Sequence, residues 1–140
     1  MAEQIEVPQT FKDYLQHRAE IVAAYLFGSV AAGKAHKFSD VDVALLLVEP
    51  VDRDRAWEIR LEAMGEAETA FGGPMQVELL RELGSLLKYQ VIHRGQLIFE
   101  RDRSARIWHE VAVRNEYWDF EPYLEQWRQA ALRRMRLNGL

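Results

Sequence analysis

The sequence predicts an α/β or α+β fold. Short apolar runs at residues 21–27, 41–48 and 75–80 have the length and Val/Leu/Ala content of strands. Longer stretches between and after them carry apolar residues at helical spacing, and Glu49-Pro50 and Gly72-Gly73-Pro74 punctuate the two kinds of segment. Strands alternating with helices exclude an all-helical bundle and an all-β sandwich.

Pro8 to Ala19 reads as a helix, with Phe11, Tyr14 and Leu15 on one face and Pro8 suited to its first turn. Ile21 to Phe27 is a strand that Gly28 ends. Gly28-Ser29 turns the chain, Val30 to Ala32 fits a short helix, and the polar Gly33 to Ser39 reads as a loop. Asp40 to Val48 is the second strand. Asp52 to Phe71 is a helix, opened by Asp52 or Asp54 where a carboxylate meets the helix dipole. Its apolar positions Trp57, Leu61, Met64 and Ala67 follow a helical spacing. Met75 to Leu80, MQVELL, is the third strand, with Glu78 its only charge. Leu83 to Val91 is a short helix and Gln96 to Phe99 a brief strand. From Asp102 onward the chain is helical, with Ile107, Val111 and Tyr117 expected inward and Pro122 expected to kink it or start a second helix. Arg133, Arg134 and Arg136 precede Asn138-Gly139, a helix-ending pair.

The 140 residues fit one domain, 1–140, that includes the helical segment from about residue 102. A net charge of -4 argues against generic phosphate-backbone binding. With no cysteine, neither a disulfide framework nor a thiolate metal site is available. The first residues lack the basic and apolar regions of a signal peptide, and no apolar stretch approaches the ~20 residues of a membrane span. A cytoplasmic location is expected.

Chemistry concentrates at residues 28–42, GSVAAGKAHKFSDVD. Strand residues two apart share a face, so Asp40 and Asp42 project together. Two neighbouring carboxylates repel unless a cation separates them, and oxygen donors suit Mg²⁺ or Mn²⁺. Glu78 becomes a third ligand if strand three lies beside strand two. Three carboxylates holding one or two ions form a clamp for in-line nucleotidyl displacement. Gly28 lets the backbone approach a ligand, and Ser29 offers a hydroxyl at the head of a short helix. Lys34 and Lys37 could reach outer phosphates, although with His36 they also read as an ordinary solvated loop.

Gly-Ser, ten residues and then Asp-Val-Asp resembles the signature of the polymerase-beta-like nucleotidyltransferase superfamily. The short length, the segment Gly95 to Phe99, Arg101-Asp102 and Tyr117-Trp118-Asp119-Phe120 are similar to the minimal nucleotidyltransferase antitoxins that pair with HEPN toxins. The resemblance implies a small mixed sheet flanked by helices, with a helical C-terminal segment. It also implies an enzyme that uses ATP and Mg²⁺, as two ions, to transfer AMP to a tyrosine of a HEPN-domain ribonuclease. In that picture Gly28 and Ser29 hold the triphosphate, Asp40 and Asp42 the metal. Glu78 stands where the family commonly has Asp and helps deprotonate the tyrosine. The alternatives are a non-catalytic antitoxin that acts by occlusion, and transfer to a small molecule such as an aminoglycoside.

Some features also have plain structural readings. Tyr117, Trp118, Phe120 and Trp127 suit core packing or a partner surface. The arginines at 133–136 suit a helix C-terminus. Arg103 and His109 have the spacing used by HEPN ribonucleases themselves, but the strand-containing chain does not read as a HEPN bundle.

Overall fold

The structure, a computed structural model, describes residues 4–28 and 41–137. The chain runs α1 (Gln9–His17), β1 (Ile21–Gly28), β2 (Val41–Leu47), α2 (Arg53–Phe71), β3 (Gln76–Leu79), a 3₁₀ turn (Leu80–Glu82), α3 (Ser85–Arg94), β4 (Gln96–Glu100) and α4 (Arg103–Leu137). The four strands form one mixed sheet in the order β3-β2-β1-β4, with β2 and β3 parallel and the other pairs antiparallel. The mixed α/β architecture anticipated from the alternating segments is the one observed.

Both faces of the sheet are covered. Alternation along β2 sends Val41, Val43, Leu45 and Leu47 to one face, where Phe11 and Leu15 of α1 and Ile59 and Ala63 of α2 pack on them. Ala44 and Leu46 face the other way, into a second cluster with Tyr25, Leu80, Val91 of α3 and Val113 of α4. A strand buried on both sides has no polar face to show, which explains the near-continuous apolar run of β2.

Helical spacing alone does not pick the buried face. Trp57 and Leu61 point outward at 54% and 48% exposure, whereas α2 buries Ala56, Ile59, Ala63 and Ala67. A face of alanines lets this helix lie close to the sheet, and the bulkier residues flank it. Ile107 and Val111, expected inward, are also turned outward, because α4 buries His109, Glu110 and Val113. Glu110 is there for Tyr25, whose hydroxyl donates to its Oε2 at 2.7 Å, and for Arg106, whose Nη1 lies 2.8 Å away. That hydrogen-bonded trio satisfies a carboxylate that would be costly to bury alone. Pro122 starts no second helix: α4 runs through it to Leu137.

Local signals at the ends of the elements do hold. The Asp52 carboxylate caps α2 by accepting from the Arg55 N–H at 3.2 Å, and Gly72 closes that helix with a φ of 78°. Arg101 donates to the carbonyls of Leu15, Gln16, Arg18 and Ile21, locking the C-terminal end of α1 to the start of β1. Gly95 has no room for a side chain, since a Cβ there would come within 2.3 Å of the Val91 carbonyl oxygen and 2.9 Å of that of Leu26. Among the described residues no helix is long and apolar enough to cross a membrane.

Candidate active site

The expected site lies where β1 ends and β2 begins. Gly28 closes β1 with a φ of 105°, a conformation that L-residues with a Cβ rarely adopt, so glycine is required for the chain to leave the strand in this direction. Gly28 pairs with Val41, and Phe27 pairs with Asp42, so the end of one strand and the carboxylate of the other are adjacent. Asp42 is partly buried and shares its face with Ala44 and Leu46. Ser29, Asp40, Lys34, His36 and Lys37 lie outside the described residues, as do the short helix expected at 30–32 and the loop expected at 33–39.

Strand three does lie beside strand two, which was the condition for a third carboxylate. The parallel register is Asp42 to Gln76, Val43 to Val77, Ala44 to Glu78 and Leu45 to Leu79. Gln76, rather than Glu78, is therefore the neighbour of Asp42. Glu78 is on the same face but one pair further along, roughly 8 Å from Asp42 between Cα positions by the rise and spacing of strands. It is also committed elsewhere: its Oε1 lies 3.7 Å from Nη2 of Arg60, whose guanidinium is stacked 4.9 Å from the Trp57 ring centroid. β3 is the edge strand, where a long side chain can turn around the rim of the sheet toward α2. Among the described residues no group of three His, Cys, Asp or Glu is placed to hold a metal ion.

The donors at this end of the sheet nevertheless suit a hard divalent cation. Asp42 supplies a carboxylate, the exposed Gln76 beside it a neutral amide oxygen, and neither a thiolate nor an imidazole stands in register with them. Sequence reasoning missed Gln76 because it looked for charge. Its strand parity matches that of Glu78, but only the register distinguishes which of the two meets Asp42.

Residues 9–104 match the family described as polymerase beta, nucleotidyltransferase. Protein adenylyltransferase MntA of Shewanella oneidensis is 29% identical over 75 residues, which cover 54% of this chain and 51% of that protein. The chain thus spans about half the length of this curated relative in the match. Among solved structures, a toxin–antitoxin with AMP-PNP has a TM-score of 0.63 at 23% identity, covering 90% of this chain and 96% of that one. A tri-AMPylated Shewanella oneidensis HEPN toxin in complex with its MNT antitoxin has a TM-score of 0.58 at 20% identity, covering 91% and 97%. These likenesses bear out the fold, and the relatives are of the kind that the Gly-Ser…Asp-Val-Asp motif resembled. The family match spans the whole sheet and both strands of the motif, and this chain belongs to the polymerase beta nucleotidyltransferase family.

Proposed function

We propose that this nucleotidyltransferase is an antitoxin that transfers AMP from ATP to a tyrosine of a HEPN-type ribonuclease toxin. The observation that carries the reading is the junction of Gly28, at positive φ, with Asp42 across the β1–β2 pair, inside a family match that covers residues 9–104. Its support for the acceptor is the likeness to MntA and to antitoxins solved with their toxins.

In this reading Gly28 and Ser29 bind the triphosphate. The bare backbone at Gly28 admits close approach of phosphate oxygens, and the Ser29 hydroxyl donates to one of them. Asp40 and Asp42 would hold Mg²⁺, with the Gln76 amide oxygen beside them. The ions, two in the full site, would supply charge stabilisation for the attacking and leaving oxygens. The tyrosine oxygen bonds to the α-phosphorus, the bond to the bridging oxygen of the β-phosphate breaks, and pyrophosphate leaves. A phenol with a pKa near 10 must lose its proton as it attacks. Glu78, on the same face one pair beyond Asp42, accepts that proton once Arg60 releases it. The enzyme holds the reactants in line, a contribution that orientation alone makes large.

The test is transfer of labelled AMP from ATP to a HEPN-type toxin, with Mg²⁺ present or chelated. Asp42→Ala is expected to lower labelling by more than the ~10–100-fold that loss of a mere supporting group around a metal costs, while leaving the melting temperature within a few degrees. Labelling that survives Asp42→Ala would reject the mechanism. A second reading, toxin occlusion without transfer, is favoured by the neutral Gln76 opposite Asp42. It requires Asp42→Ala to protect cells from the toxin as well as the wild type does.

A further inference from the structure

Helix α4 is 35 residues long, and only its first half is packed. The inward stripe there is Arg106, Glu110, Val113 and Tyr117, a spacing of three and four residues. Tyr117 marks the end of the supported part, where its ring stacks on that of Tyr89 in α3 with centroids 3.9 Å apart. The same stripe then continues through Phe120, Leu124, Trp127 and Ala131, beyond the last residue that α4 buries, with Leu124 and Ala131 half-buried. Phe120 is 40% exposed and Trp127 70%. Tyr123, Leu132 and Met135 add further exposed apolar surface on this half. An amphipathic helix that shows its apolar stripe to water over about three turns is an interface awaiting its other side.

We infer that this half of α4 pairs with the same half of a second copy of this chain, antiparallel, across a two-fold axis. The charge pattern selects that occupant. Residues 119–125 carry Asp119, Glu121 and Glu125 with no base, whereas residues 128–136 carry Arg128, Arg133, Arg134 and Arg136 with no acid. A helix that is acidic at one end and basic at the other is complementary to itself when reversed and repels itself in parallel. The side-chain sizes agree. With the axis between residues 125 and 126, heptad layers place Leu124 against Trp127 of the second copy and the bulky Phe120 against the small Ala131. Tyr123 falls opposite Ala130, and on the other flank Glu121 faces Arg128. Each contact occurs twice by symmetry. Arg128 presently touches Glu125 of its own helix and is well exposed, so it is free to bridge to both. Three aromatic residues per copy, each able to bury ~150–250 Å², bring the pair to about 1,000 Å², the lower range of specific interfaces.

The experiment measures solution mass by sedimentation for the full chain at about 50 μM. The wild type is expected at twice 16.3 kDa. Glu121→Arg alone and Arg128→Glu alone are each expected to be monomeric, because each creates two like-charge pairs. An equimolar mixture of the two is expected to recover the dimer. The chain has no cysteine, so cross-linking gives a clean second readout. Phe120→Cys mixed with Ala131→Cys is expected to form an intermolecular disulfide, while neither variant does so alone. A monomeric wild type overturns the inference. So does disulfide formation by either single variant alone, which would mean a parallel pair. A chain that stays monomeric and associates through this face only when a HEPN-type protein is added also overturns it, in favour of that partner. None of these outcomes depends on nucleotidyl transfer.

Discussion

The two halves of α4 have the same apolar periodicity and opposite fates. Up to Tyr117 the stripe is pressed against the sheet and α3, and it even carries the buried carboxylate of Glu110, held by Tyr25 and Arg106. Beyond Tyr117 an equally regular stripe lies open. The helical pattern alone does not decide which half is core. The sheet ends where it ends, and a helix that rises about 1.5 Å per residue outruns it. The comparison teaches that an amphipathic stripe reports a need for a partner without saying which chain supplies it.

The largest effect expected from breaking the packed half is at Arg106. Arg106→Leu removes the ion pairs to Glu100 at 2.5 Å and to Glu110 at 2.8 Å, and leaves the Glu110 carboxylate buried with only the Tyr25 hydroxyl and a distant Arg114. A loss of about 3–5 kcal/mol in urea unfolding is expected. A loss under about 1 kcal/mol would mean that Glu110 is solvated in the folded chain. Next comes the contrast between Ile59 and Trp127. Ile59→Ala opens a cavity on the α2 face of the sheet and is expected to cost about 2–5 kcal/mol. Trp127→Ala, measured at sub-micromolar concentration, well below the roughly 50 μM chosen for the dimer, is expected to change stability by less than about 0.5 kcal/mol. Equal losses would show that the far half of α4 is packed after all.

The smallest effect sharpens the same boundary. His109 lies on the packed half with its Nδ1 buried and unpartnered. Its pKa is lowered to about 4, first by burial and then by the charges of Arg81 and Lys88, with Glu110 and Glu49 opposing. The folded value lies below that of the unfolded chain, so the stabilising contribution is complete above pH 6.5 and is lost as pH falls toward 4. Between pH 6.5 and 5 this decline precedes protonation of Glu20, Glu62 and Glu116, whose carboxyls their arginine and lysine partners hold below the usual range. Chemical unfolding of His109→Leu is expected to lose the slope in that window. A slope that persists would assign it to another group.

Much of the fold was legible because it depends on local signals. The Asp52 cap, the Gly72 terminator and the strands rich in Val and Leu are written in neighbouring residues, and they appear where they were anticipated. The two-residue spacing of Asp40 and Asp42 predicts a shared face in the same local way, although Asp40 lies outside the described residues. Which apolar residues go inward was less legible. Trp57 and Leu61 follow a helical spacing as well as Ile59 and Ala63 do, and hydrophobicity favours the larger pair. The shape of the sheet favours the smaller one, since a helix lined with alanine can approach it more closely.

By itself, the sequence determined an alternating strand–helix chain with a Gly-Ser and Asp-Val-Asp element at a junction of two strands. It also determined a helical C-terminal segment whose last residues are rich in arginine, while the single helix that runs through Pro122 was the structure's to decide. The alternation, the motif and the arginines are properties of composition and spacing along the backbone, and no folding partner is needed to define them. Only the tertiary structure decided that Gln76 stands beside Asp42 while Glu78 turns to Arg60, and that the apolar stripe of α4 loses its cover after Tyr117. Both depend on the register of one strand against another and on where the sheet stops. These are distances between residues far apart in the chain, which no local pattern encodes.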